Sequence, residues 1–329
     1  MQQTSPGSLQ KHIYDAAADE LEALNRCIVA ELQSDVGMVD EIVQYIVKAG
    51  GKQLRPLLVL LSANCCGYQG DAHIKLAAVI EFLHTATLLH DDVVDISDMR
   101  RGRETANARW GNAPAVLVGD FMYTRSFQLV VELGNLRVME ILGQASNLLA
   151  EGEVMQLARA RDISTTEEQY FDVIRRKTGA LFEASSQTAA VLAGATPDQE
   201  KALKEFGGYL GTAYQLADDV LDYDGNDEQM GKSLGEDLAE GKPTLPLIYT
   251  MKMGARDDVQ LVENAIRDGS YKDLQQIVEA ANRSGGLDYT RKKAIEQSAR
   301  AIECLKLFAD SPYKTAMKNL AEFSVSRVY

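Results

Sequence analysis

The chain has 329 residues, 46% of them hydrophobic and 25% charged, which is ample to bury the core of one large domain. Its net charge of −14 at pH 7 argues against a nucleic-acid partner, since binding to a phosphate backbone needs a basic face. Cys27, Cys65, Cys66 and Cys304 show no metal-ligand spacing, no leader pattern opens the chain and no run approaches the roughly 20 apolar residues of a membrane span, so a soluble cytoplasmic protein with free thiols is expected.

After a loose polar start over residues 1–8, helical periodicity runs over 8–31 and 39–48, where Gly50 and Gly51 stop it. Lys52 and Arg55 then precede PLLVLLSANCC, with Pro56 placed as the first helical residue. Cations beside a helix N-terminus suit an anion, although ordinary surface charge accounts for them equally well. Asp71 is placed to cap a long helix through EFLHTATLLHDDVVD, and a loop over 102–112 carries the only tryptophan, Trp110. Helices follow over 114–133 and 136–161, and Ser164-Thr165-Thr166-Glu167 reads as a capping box for another reaching 192. Inside it, Arg175, Arg176, Lys177, Thr178 and Gly179 interrupt the apolar pattern, either as a solvated face with a kink or as cations kept for a ligand. Thr196-Pro197-Asp198-Gln199 opens the helix that ends in YQLADDVLDYD. A Gly-rich charged loop over 224–242, with Lys232 and Lys242, is either a mobile cover or a plain surface loop. Helices resume over 243–253, four or so more reach about residue 327, and no strand pattern competes. The fold class expected is all-α, as a single domain over 1–329.

Asp91, Asp92 and Asp95 sit at the end of an apolar helical stretch. Asp91 and Asp95 lie roughly 40° apart on the helix, with His84 two turns earlier on the same side. One such triplet is ordinarily a solvated face. Here Phe82, Leu83, Ala86, Leu88 and Leu89 are too apolar for that, and the DDVxD spacing recurs at Asp218, Asp219 and Asp222. Carboxylates this crowded repel each other, and a hard divalent cation, which takes oxygen ligands, removes the conflict. Arg100, Arg101 and Arg103 follow the first triplet at once. The pattern is that of a site for a metal-bound polyanion, with the two triplets expected to face each other across a cavity.

Taken in order, GGKQLRP, HTATLLHDDVVDISDMRRG, RRKTGALFEA, YQLADDVLDYD and GKPTLP resemble the motif set of the trans-prenyl diphosphate synthases, and most closely the bacterial octaprenyl synthases of respiratory quinone synthesis. The resemblance covers nearly the whole chain. It implies the isoprenoid synthase fold, ten or more helices around a deep central cavity, working as a homodimer. It further implies that Asp91, Asp92, Asp95, Asp218, Asp219 and Asp222 hold two or three Mg2+ ions bridging the diphosphate of an allylic primer such as farnesyl diphosphate. Arg100, Lys177, Lys232 and Lys242 would neutralise that leaving group, and Thr178 and Gln215 would flank the reacting carbons. Lys52, Arg55, His84 and Arg101 would bind isopentenyl diphosphate. Ala86 and Thr87 are small where short-chain members carry bulky aromatics, which implies that the growing tail passes this level. It would stop against the helix over 114–133, among Met122, Phe127, Leu129 and Val130. The implied product is octaprenyl diphosphate, with geranylgeranyl, heptaprenyl and nonaprenyl products as alternatives, released through transient membrane contact. Gln53 and Ile96 depart from the family, which often has a basic and an acidic residue there. A terpene cyclase would carry an Asn/Ser/Glu-type second metal motif, and a non-catalytic subunit would lack site residues; the second aspartate triplet fits neither.

Overall fold

Apolar periodicity becomes helix along nearly the whole chain. The structure is a computed structural model and describes residues 6–224, 234–270 and 272–326. From the N-terminus run α1 (Pro6–Asp15), α2 (Ala18–Glu31), α3 (Gly37–Ala49), α4 (Leu54–Cys65) and α5 (Ala72–Val94). A hairpin of β1 (Met99–Arg100) and β2 (Arg103–Glu104) leads to α6 (Ala106–Trp110), α7 (Asn112–Leu133), α8 (Leu136–Arg159) and α9 (Glu167–Ile174). A π-helical turn, Arg175–Gly179, joins α9 to α10 (Ala180–Leu192). Then come α11 (Pro197–Asp224), α12 (Glu236–Ala239), α13 (Leu245–Met253), α14 (Arg256–Asp268), α15 (Leu274–Ser284), α16 (Gly286–Cys304) and, after a 3-10 turn, α17 (Pro312–Ser326).

Residue contacts divide the chain into two compact units. The first comprises Met1–Ser146, Leu181–Gly207 and Cys304–Leu320, and its axis is α5. Leu76, Val79, Ile80, Phe82, Leu83, Ala86 and Leu89 of that helix are buried, and α2, α4 and α7 pack around it. Each such large side chain contributes about 1.5–3 kcal/mol by leaving water. By length and composition α5 is apolar enough to cross a membrane, which the sequence reading did not anticipate, but 56% of its most apolar window is buried by neighbouring chain. Gly119 on α7 faces the His90 ring, which an added Cβ would displace.

The second unit comprises Asn147–Ala180, Gly208–Glu303 and Ala321–Tyr329. Its core gathers Ala217, Val220 and Leu221 of α11 with Leu238, Leu247, Val262, Ile266, Ile277 and Leu287, so the helix segment bearing the second triplet is fixed along its apolar side. Within the same unit α13 packs on α9, α14 and α15.

Several local expectations need correction. The helix expected over 8–31 breaks at Ala17, whose φ/ψ of −135°/31° is not helical. Pro56 and Pro114 are third residues of their helices, not first. Asp71 stands at the N-cap of α5 without a capping hydrogen bond from its side chain. The capping box lies two residues later than read, with Thr166 as cap and Gln169 as its partner; the one at Thr196 and Gln199 forms as read. The 102–112 segment is not an irregular loop: Arg100 pairs with Arg103, and Arg101 and Gly102 take φ of 53° and 72°, the left-handed pair of a tight hairpin turn. Lys232 lies outside the described residues. All four cysteines are free thiols.

Both residues that depart from the family, Gln53 and Ile96, have left-handed backbones, with φ of 44° and 52°. Gln53 Nε2 donates to Asn25 Oδ1 at 3.2 Å. Ile96 is β-branched, strained in this region, and 82% exposed. Replacing Ile96 with Asn, which tolerates the left-handed conformation, is expected to raise unfolding stability by about 1 kcal/mol. Urea unfolding followed by circular dichroism tests this, and a midpoint at or below wild type would refute the assignment of strain.

Candidate active site

The first acidic cluster is built by the C-terminal end of α5 and the hairpin that follows it. Asp92 is 4% exposed, and its Oδ1 accepts from Arg100 Nε at 2.7 Å. The hairpin is tied back to the helix end: Asn107 Nδ2 donates to the Asp92 and Ser97 carbonyls at 3.1 Å each, and Thr105 Oγ1 to the Ser97 carbonyl at 2.7 Å. A partly buried guanidinium is thereby fixed against a buried carboxylate, where a charge-assisted hydrogen bond is strong. Asp91 and Asp95 lie on the adjoining face, both partly exposed.

Two turns before Asp91 on α5, His84 Nε2 stands 3.1 Å from Arg55 Nη1. Burial, and then the charges of Arg55, Arg101 and Arg100, hold the imidazole well below its usual range, so it is neutral and can accept from Arg55. The Arg55 guanidinium also lies 4.4 Å above the Phe182 ring, a favourable cation–π contact. Lys52 is exposed, with its backbone carbonyl accepting from the Tyr14 hydroxyl. Arg101 donates to the Gly50 carbonyl.

In the second unit, the buried face of α11 carries the second cluster. Asp219 is 2% exposed; it accepts from the Tyr170 hydroxyl at Oδ2 and from Gln215 Nε2 at Oδ1, the latter at 2.8 Å. Gln215 Oε1 accepts in turn from Thr178 Oγ1 at 2.8 Å. Thr178, Gln215 and Asp219 therefore form one chain of hydrogen bonds. Burial and the nearby charge of Asp237 push the Asp219 carboxyl up to about 7, against the pull of the Tyr170 and Gln215 hydrogen bonds. Asp222 is also buried, and Asp218 is partly exposed.

Lys177 belongs to the π-helical turn, a feature common at functional sites. Its Nζ donates to Glu153 Oε2 at 2.5 Å and to Gln156 Oε1 at 2.8 Å. That contact requires Gly152 on α8, because a Cβ there would meet Lys177 N at 2.6 Å. Lys242 pairs with Glu240 and lines a small cavity of about 50 Å3 with Gln156, Tyr170, Gln215, Asp219 and Asp237.

The sequence reading missed Tyr170, Glu153, Gln156 and Asp237. Only Asp237 had a visible signal, an acidic residue in the charged loop beside Lys242. Among the six residues tied to chain length, Met122 lines a cavity in the first unit and Leu129 is buried. Ala86 and Val130 are buried, Phe127 is partly buried against Tyr123, and Thr87 Oγ1 donates to the His84 carbonyl at 2.7 Å.

A sequence profile for the polyprenyl synthetase family matches residues 36–282. Octaprenyl diphosphate synthase of Escherichia coli K12 is 49% identical over 316 residues, 96% of this chain and 98% of that protein. All-trans-nonaprenyl-diphosphate synthase (geranyl-diphosphate specific) of Rhodobacter capsulatus is 42% identical over 97% of this chain and 98% of its own. The crystal structure of a polyprenyl synthase from Caulobacter crescentus CB15, complexed with calcium and isoprenyl diphosphate, superposes with a TM-score of 0.94 at 41% identity, covering 97% of this chain and 98% of that one. The chain has the all-α isoprenoid synthase fold and belongs to the polyprenyl synthetase family.

Proposed function

We propose that this prenyltransferase extends an allylic primer such as farnesyl diphosphate by repeated head-to-tail condensation with isopentenyl diphosphate, using Mg2+, and that octaprenyl diphosphate is its product. We read residues 1–329 as one catalytic domain, working as a homodimer in the cytoplasm. The observation that carries the reading is one arrangement met twice: an apolar helix ending in DDVxD whose second aspartate is buried and held by donors, Arg100 in one case and Tyr170 with Gln215 in the other. The names of the relatives support the chemistry, and the name of the 49% identical one supports the product length.

The donor set suits a hard cation. Asp91, Asp95, Asp218 and Asp222 offer only oxygen, and among the described residues no group of three or more His, Cys, Asp or Glu side chains forms a metal-holding cluster by itself. That fits an ion taking one or two carboxylates and filling its shell with water and substrate phosphate, as Mg2+ does. Asp92, whose Oδ1 accepts from Arg100, and Asp219, both of whose oxygens accept from the protein, are read as holders of Arg100 and of the Gln215–Thr178 pair. When bound, the cation supplies charge stabilisation to the departing diphosphate oxygens.

The chain's own residues do the rest. Arg100 and Lys177 direct N–H donors at those oxygens, with Lys242 and Lys232 as further cations, and such preorganised charge is the main source of rate in this kind of step. Thr178 and Gln215 place a linked dipole beside the allylic carbons as the C–O bond breaks. Lys52, Arg55 and Arg101 bind the diphosphate of isopentenyl diphosphate, with neutral His84 orienting Arg55, so that the double bond attacks the allylic carbon and forms the new C–C bond. Among the described residues no strongly basic side chain stands out for the proton then lost, and the departed diphosphate is the base.

Purified protein with Mg2+, farnesyl diphosphate and labelled isopentenyl diphosphate should give octaprenyl diphosphate on chromatography. Asp91→Ala and Asp218→Ala should each lower turnover roughly 100-fold or more while remaining folded, because what is lost is transition-state charge stabilisation. Near-wild-type turnover in either variant at limiting Mg2+ would sink the metal assignment. Product length is tested separately. Thr87 is partly buried, whereas buried Ala86 has no room for an aromatic without overpacking. Thr87→Phe is therefore the better probe, and is expected to give a shorter product at the same substrate ratio; an active variant with an unchanged product would place the tunnel elsewhere.

A further inference from the structure

Glu81 has no part in the mechanism above, yet it lies among groups that do. It stands three residues before His84 on α5, so the two share a side of the helix. It lines a cavity of about 290 Å3 in the first unit together with Gly50, Gly51 and Arg101. Its Oε2 is sealed from solvent and has no hydrogen-bond partner. A bare buried carboxylate oxygen is costly unless charge nearby offsets it. Two guanidinium groups supply that charge: burial pushes the carboxyl up, and Arg101 first, then Arg55, pull it back.

Arg55 and Arg101 pose a problem that Glu81 solves. Both are needed at one diphosphate, and like charges brought together repel. Arg55 has fixed supports in the His84 ring and the Phe182 face. Arg101 sits on a left-handed hairpin turn and donates to the Gly50 carbonyl. Glu81 Oε2 is an unused acceptor in the cavity that Arg101 also lines, so it offers this guanidinium an alternative to Gly50.

We propose that Glu81 is a positioning residue for isopentenyl diphosphate, its carboxylate holding the guanidinium groups of Arg55 and Arg101 as a pair spaced for one diphosphate. The proposal rests on the reading of this site given under Proposed function. A structural role alone would leave both substrates equally affected by its loss; a positioning role acts on one.

Steady-state kinetics of Glu81→Gln and Glu81→Asp, with Arg55→Ala as reference, separate these cases when each substrate is varied at saturating levels of the other. Glu81→Gln, which keeps the shape and removes the charge, should raise the KM for isopentenyl diphosphate roughly tenfold, leave the primer KM unchanged and change kcat by less than about threefold. Glu81→Asp, which keeps the charge but retracts it by one methylene, should fall between wild type and Glu81→Gln. A wild-type isopentenyl KM in Glu81→Gln, or an equal rise in both KM values, overturns the proposal. Should Glu81→Gln fail to fold, Glu81→Asp decides alone: a selective rise in the isopentenyl KM supports the proposal, and wild-type values overturn it. Failure of the underlying reading looks different, since wild type would then not consume isopentenyl diphosphate, or Arg55→Ala would leave its KM untouched.

Discussion

A carboxylate taken out of water must be met by donors or by positive charge, and each of the two acidic clusters is organised by that requirement. Asp92 and Asp219 are the most buried members of their clusters. Arg100 meets one, and Tyr170 with Gln215 meets the other. These hydrogen bonds make the helix ends tolerable and also fix the groups that make them: Arg100 is held where the hairpin turns, and Gln215 is held where it can grip Thr178. The second aspartate of each triplet thus spends its charge on the protein, while Asp91, Asp95 and Asp218 are partly exposed.

Cations are treated the same way. Lys177 is suspended between Glu153 and Gln156, and Arg55 between an imidazole and a phenyl ring. A flexible lysine or arginine loses rotamer freedom when it binds phosphate. Fixing it beforehand removes part of that loss from the binding step, so more of each interaction is left for the transition state.

Much of this was legible in the sequence, for identifiable reasons. The DDVxD repeat, the apolar approach to it and the capping box at Thr196 are local patterns, and helices express local patterns directly. Register failed where three candidates competed: Ser164, Thr165 and Thr166 all suit a cap, and only the Thr166–Gln169 pair closes. The hairpin at Arg101–Gly102 was missed because two residues per strand leave no alternation to detect. Tyr170 and Glu153 were invisible for another reason. Their partners are 49 and 24 residues away, and neither residue type nor spacing marks such a contact before the chain has folded.

The π-helical turn at Arg175–Gly179 also bears on which changes of length this chain can accept. It adds one residue within an otherwise continuous helical run, and one residue corresponds to roughly 100° of helical rotation. Losing a single amino acid here would return the turn to ordinary α geometry and re-aim the side chains of residues 175–179 around the helix. Lys177 would no longer meet Glu153 while Thr178 met Gln215. The turn also ends where the chain passes from one compact unit into the other, between Ala180 and Leu181. Insertions and deletions that a surface loop absorbs freely are therefore closed to this segment, and its length is set as strictly as its charges.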